Sequence, residues 1–218
     1  VIEEAFDQLP EEVQGGKSIT NIKENLKGRR DNIVEIAETY YEYLAELQMV
    51  IGTDKDDYFE ITRGDNQTTV KAWRIKGGEK ADLLINRTYY SDETNQLWIY
   101  GLDDDDVFEV NGTGKKPIFI RIIGGQNNDI YRIYNGEELK VYDHETLPNT
   151  IESRGGANFR LTDVYDYNTY DYKKDILRYN AITPAIGYNP DNGLTLGLND
   201  VYTVNGFMQN PYSQQHRF

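Results

Sequence analysis

The sequence predicts an α+β chain in which N-terminal helices pack on a mainly β domain, and three observations carry that prediction. Apolar residues recur at intervals of three or four through the first third, the period drops to two from about Met49, and one glycine-led string returns three times. The copies are Gly52-Thr-Asp-Lys-Asp-Asp-Tyr-Phe-Glu-Ile61, Gly101-Leu-Asp-Asp-Asp-Asp-Val-Phe-Glu-Val110 and Gly124-Gly-Gln-Asn-Asn-Asp-Ile-Tyr-Arg-Ile133. Each follows an apolar run, so the unit reads strand, glycine turn, acidic or amide loop, alternating strand.

The helices come first. Ile2 to Leu9 is a short amphipathic stretch stopped by Pro10, and Ser18 can cap a helix bearing Ile19, Ile22 and Leu26 before Gly28 ends it. A second helix is predicted from Asn32 to Leu47. Ile33, Ile36, Ala37, Tyr40, Leu44 and Leu47 share one face, and Asn32 with Glu35 resembles a capping box. That face calls for a sheet or another helix against it.

Strand signals follow. Tyr58 to Thr62 and Thr69 to Ile75 flank the hairpin signal Gly64-Asp65-Asn66, and Leu83 to Tyr90 is a further strand. Leu97-Trp-Ile-Tyr-Gly101, Ile120-Arg-Ile-Ile-Gly124 and Leu139-Lys-Val-Tyr-Asp143 recur at a spacing that suits either a short β-solenoid or an antiparallel sandwich. Asp163-Val-Tyr-Asp-Tyr-Asn-Thr-Tyr-Asp-Tyr-Lys-Lys174 is polar and aromatic and reads as a loop or linker. In the last segment Leu194, Leu196, Leu198, Tyr202 and Val204 alternate with polar residues, interrupted by Asp200. That stretch is long enough for a transmembrane β-strand of about 9 to 11 residues.

Composition removes several function classes. A formal net charge of -14, with its densest cationic spots at Lys27 to Arg30 and Lys115-Lys116, argues against nucleic acid as a partner. With no cysteine the chain uses no disulfide and no thiolate metal site. A valine at residue 1, with no signal-peptide pattern, marks the expectation that this is an internal piece of a longer protein.

The acidic turns raise a calcium question. Calcium takes six to eight oxygens, and Asp103, Asp104, Asp105, Asp106, Asn127 and Asp129 are the candidate ligands. Gly124-Gly-Gln-Asn-Asn-Asp129 fits the Gly-Gly-x-Gly-x-Asp loop with Asn127 at a glycine position, whereas Leu102 and Asp104 stand at glycine positions in the other copy. The competing reading is that Asp and Asn brace tight turns through their own backbone. A glycosidase pairing such as Asp56 with Asp106, and sugar stacking on Trp73 and Trp98, compete with chance and with ordinary strand packing.

One resemblance spans most of the chain. The string Gly187-Tyr-Asn-Pro-Asp-Asn-Gly-Leu-Thr-Leu-Gly-Leu198, with Tyr202-Thr, Gly206-Phe207, Asn210-Pro-Tyr212 and His216-Arg217, resembles the opening strand and turn of surface-antigen, BamA-like outer-membrane barrels. In Bacteroidota such barrels end proteins whose N-terminal half is similar to calcineurin-like metallophosphoesterases. Leu26 to Tyr41, Gly52 to Asp57, Arg87-Thr88 with Glu93-Thr94, and Ile99 to Val110 resemble the region connecting the two.

The resemblance implies an outer-membrane parent with this region mainly periplasmic. Its implied partners are outer-membrane lipid, met through the barrel, and other outer-membrane or periplasmic proteins. The phosphoesterase metal motifs, Asp-x-His, Gly-Asp-x-x-Asp and Asn-His-Glu, do not occur here, so no catalytic residue is carried over. The expected organisation is a helical segment at 1–48, a β-domain at 49–147, a Tyr/Asn/Asp-rich linker at 148–186, and the first strand and turn of an incomplete barrel at 187–218. The expected function is a non-catalytic connector, with a calcium- or glycan-binding module as the alternative.

Overall fold

The computed structural model describes residues 1–114, 117–173, 178–191, 193–207 and 212–218; Lys115, Lys116, Lys174, Asn192, Asn210 and Pro211 of the sequence strings above lie outside the described residues. The chain forms two compact units, Val1–Gln48 and Met49–Phe218.

The first unit is three helices: α1 (Ile2–Asp7), α2 (Glu11–Gln14) and α3 (Lys17–Ala45). The two predicted helices merge into α3. Gly28 costs about 1 kcal/mol against alanine in a helix interior, but neither it nor any other residue nearby supplies a reason to stop. Asn32 and Glu35 therefore sit inside the helix and not at a cap. Lys23 and Lys27 of α3 both reach Glu3 of α1 and hold its carboxyl down at about 2. The expected packing stripe is open: Ile33, Ile36 and Tyr40 are each 61% exposed, and Ala45 is the buried residue of α3.

The second unit is built from strands. They are β1 (Leu47–Ile51), β2 (Asp57–Arg63), β3 (Gln67–Lys76), β4 (Glu79–Tyr90), β5 (Gln96–Leu102), β6 (Val107–Gly112), β7 (Phe119–Gly125), β8 (Asp129–Ile133), β9 (Leu139–Asp143), β10 (Asn149–Ser153) and β11 (Asn158–Leu161). One sheet has the order β1-β5-β7-β9-β11 and the other β10-β8-β6-β2-β3-β4. From β5 onward the chain visits the two sheets in turn. Successive visits pair in parallel, β5 with β7 with β9 with β11, and β6 with β8 with β10. β2 also pairs with β6 in parallel, and the β3–β4 excursion widens that sheet with antiparallel strands. The chain is thus mixed α and β, with its helices mainly at the N-terminus.

Register follows from the repeats. Phe59, Phe108 and Tyr131 occupy the same position of successive strings and stack face to face, with ring centroids 4.9 and 5.5 Å apart. Ile61, Val110 and Ile133 form the next row inward, and both sheets contribute to one core with Leu97, Ile99, Ile120, Ile122 and Val141. A one-residue slip would turn each of these rows to the other face, so period-two patterning fixes the pairing.

Two parts of the expected linker are strand. β10 and β11 extend both sheets into 149–161, and Arg178–Asn189 forms β12, paired along its whole length with β13 (Gly193–Val204). A short β14 (Gln214–Arg217) lies beside β13. The expected single barrel strand is therefore one arm of a long hairpin, because Gly187 to Asn189 continue β12 and the turn falls after them.

The middle of the expected linker covers the sheet. Tyr165–Asn168 forms the short helix α4, and Tyr170 packs edge-on against Tyr100 at 5.1 Å, while Tyr167 meets Tyr142 at 6.2 Å. Phe207, just after β13, enters the same layer against Trp98 (5.1 Å), Tyr142 (4.6 Å) and the Arg121 guanidinium (5.1 Å). These contacts explain why Trp98, Tyr100 and Tyr142, which face away from the core, are buried. Phe207→Ala is expected to cost about 3 kcal/mol by opening that layer, measured by urea unfolding, with Trp98 fluorescence shifting to the red.

Candidate functional site

The three glycine strings stack into one acidic corner. Their last aspartates, Asp57, Asp106 and Asp129, are fully buried and form an inner column linked by backbone amides: Asp57 N–H donates to Asp106 Oδ1 at 2.8 Å, and Asp106 N–H to Asp129 Oδ1 at 2.9 Å. A middle column repeats the device one residue earlier. Asp105 N–H donates to Asp56 Oδ1, Asn128 N–H to Asp105 Oδ1, and the Thr150 hydroxyl to Asn128 Oδ1. In the outer column Asp54 bridges to Asp103, and Asp103 Oδ1 accepts from Asp104 N–H and Asn127 Nδ2.

The backbone explains the residue choice. Leu102 and Asp104, at φ 93° and 63°, take the left-handed conformation of Gly125 and Asn127, at 117° and 71°, one coil on. Leucine there carries strain of order 1 to 3 kcal/mol. Gly52, Gly101 and Gly124 have a different reason to be glycine. A Cβ on Gly101 would collide with Asp106 Oδ2 and with the carbonyl of Gly124, and one on Gly124 would collide with Asp129 Oδ2 and the Tyr131 hydroxyl. The small column makes room for the carboxyl column behind it.

The six predicted calcium ligands do not converge. Asp106 and Asp129 point into the domain, Asp103 and Asp105 are engaged by the amides of neighbouring coils, Asp104 meets Lys55 at 3.4 Å, and Asn127 is an exposed donor to Asp103. Among the described residues no group of three or more His, Cys, Asp or Glu is placed to hold a metal. The Asp56–Asp106 pairing puts one carboxyl of the pair in the core, out of reach of a sugar, and Trp98 is covered by Phe207. Trp73 keeps a partly open ring, edge-on to Tyr58, with Lys80 over both.

Burial dominates the electrostatics. Loss of solvent, reinforced by the neighbouring charge of Asp129, pushes the Asp106 carboxyl up to about 10. Asp129 is raised by burial and by Asp143, and Asp57 is raised by burial against the opposing bonds from Thr53 and the Arg74 guanidinium, 3.4 Å away.

Two participants were missed in the sequence. Asp143 takes the place of the glycine in the fourth coil, since Ile123 pairs with Tyr142, and its Oδ2 accepts from the Tyr131 hydroxyl at 2.6 Å. Aligning Leu139-Lys-Val-Tyr-Asp143 under Ile120 to Gly124 would have exposed it. At the far end of β2, Arg63 is buried, with the charges of Glu137 and Glu138 acting on it. Its guanidinium donates to the carbonyls of Ile118 (3.0 Å), Asn135 (3.2 Å) and Glu137, and nothing local in the sequence announces that. No protein-family model matches the chain, and no curated protein or solved structure matches it.

Proposed function

We propose that this chain is a non-catalytic connector of an outer-membrane protein, with residues 47–161 forming a short β-solenoid and β12–β13 the first hairpin of a membrane barrel. The hairpin carries the reading. Ile182, Ile186 and Tyr188 lie on one face with Leu194, Leu196 and Leu198, each 59 to 77% exposed, while Thr183, Ala185, Gly187, Thr195, Gly197 and Asn199 line the other. Apolar-out, small-or-polar-in alternation, which runs from Ile182 to Tyr188 and from Leu194 to Leu198 before Asp200 and Asn180 enter the same face, is what lipid on one side and a barrel lumen on the other require, and the 12-residue strands exceed the about 9 to 11 residues that suffice to cross. In water the same face would be an aggregation liability.

The positional role has a physical basis in Phe207. It ties the end of β13 to the outer layer of the β-domain, so the hairpin and the β-domain are held by a packed aromatic cluster and not by a slack tether. The solenoid reading rests on parallel pairing of like positions, the Phe59-Phe108-Tyr131 stack and the three corner columns. Because the buried inner column of that corner, Asp57, Asp106 and Asp129, offers a substrate no access, chemistry is assigned to none of these three residues.

The natural absence of cysteine makes the test direct. Single cysteines at Leu196 and Thr195, labelled with an environment-sensitive dye in the protein as expressed in outer-membrane vesicles, are expected to differ. The Leu196 label should emit as in hydrocarbon and the Thr195 label as in a wetter site. Equal, water-like emission from both would rule out the barrel hairpin.

A further inference from the structure

Behind the glycine column, carboxyl oxygens converge with little to neutralise them. Asp129 Oδ2, Asp143 Oδ2 and the Tyr131 hydroxyl all crowd the back of Gly124, and Asp106 Oδ2 crowds the back of Gly101. Asp57, Asp106, Asp129 and Asp143 are each fully buried, and among the described residues no N–H or hydroxyl donates to Asp106 Oδ2 or Asp129 Oδ2. The charged groups around them are mostly acidic. Asp56 and Asp105 stand in the adjoining column, and Arg74 of β3 meets Asp57, at the first coil. At the fourth coil His144 donates its backbone N–H to Asp143 Oδ1 at 2.6 Å, and its ring is 3.6 Å from Asp163.

An unpaired buried carboxylate costs several kcal/mol, and a buried group escapes that cost by taking up a proton or a cation. Calcium would need six to eight oxygens at about 2.3 to 2.6 Å. Here the Tyr131 hydroxyl is spent on Asp143, Asp106 Oδ1 and Asp129 Oδ1 are spent on backbone amides, and the remaining oxygens press on glycine backbone.

We propose that this column is a proton store: Asp106, Asp129 and Asp143 share protons in the folded protein, and stripping those protons in alkali loosens the corner that joins the two sheets. A proton on Asp129 can be donated to Asp143, and a proton on Asp106 removes its charge, in both cases without added volume. The sign is fixed by linkage. A carboxyl that holds its proton more tightly folded than unfolded contributes stability that is complete below its ordinary value of 3.8, and that contribution is lost as pH rises through the folded value, about 10 for Asp106.

Thermal unfolding of the 218-residue chain from about pH 5 to about pH 9 tests this, with calcium or with chelator present. The wild-type Tm is expected to fall by roughly 5 °C or more as pH rises. Asp106→Asn and Asp129→Asn should each flatten that slope, whereas Asp92→Asn, which removes the same charge from an exposed turn, should leave it unchanged. A measurement that needs no variant is proton release: urea unfolding of the wild type in weak buffer near pH 7 should release at least about one proton per chain. Proton uptake or no release on unfolding, a slope equal in the column variants and wild type, or a calcium-dependent rise in Tm abolished by Asp129→Asn would each overturn the proton store.

Discussion

Gly101→Ala is expected to lose about 3 kcal/mol or more of β-domain stability, the upper range for overpacking a filled core. One methyl is enough because both atoms it meets are pinned. Asp106 Oδ2 belongs to a carboxyl whose other oxygen is tied to the amide of Asp57, and the Gly124 carbonyl is part of the neighbouring strand. Neither can withdraw without breaking a column that runs through three coils. Both tryptophans, Trp73 and Trp98, lie in the β-domain, so their fluorescence in urea isolates this transition from the helical unit. Gly28→Ala is the control. Its Cβ has nothing within 4 Å, and alanine within α3 should be neutral or stabilise by up to about 1 kcal/mol. Equal stability of Gly101→Ala and wild type would refute the space argument for the glycine column.

Arg63→Ala is expected to cost about 3 to 5 kcal/mol, the scale for removing one partner from a buried, hydrogen-bonded charge. The guanidinium gathers three carbonyls from two separate segments, Ile118 just before β7 and Asn135 with Glu137 between β8 and β9, and closes the end of the domain opposite the acidic corner. Burial holds its pKa below the usual arginine value, against the opposing pull of the Glu137 and Glu138 charges. Truncation leaves three oxygens unpaired and a void where the side chain was 1% exposed. Arg63→Lys should recover little, because one ammonium cannot span the fork of acceptors. Urea midpoints of the two variants, compared with Arg160→Ala as an exposed arginine of β11, provide the check; a loss below about 1 kcal/mol would show that the carbonyls find water instead.

The sequence announced the repeating unit and little of how the units meet. Period-two patterning and the glycine strings located most strands of the β-domain, because side chains alternate about a single strand whatever lies beside it. The same locality misled at α3, where Gly28 and a cap-like Asn32 suggested two helices. Interior positions tolerate both residues when the flanking turns favour helix. It misled again at 163–170, where tyrosines among Asp and Asn read as linker but cover the sheet through Tyr167 and Tyr170.

By itself the sequence determined the α-to-β division and the corner string, and with no cysteine it offers no thiol chemistry. Tertiary structure decided which way the carboxylates point. Asp105 and Asp106 are adjacent and chemically identical, yet one is exposed and one fully buried, because alternation about the corner sends them to opposite sides and parallel stacking puts each against its counterpart 23 or 49 residues away. No local pattern encodes a contact at that separation, and it is there that the buried charge of this protein is settled.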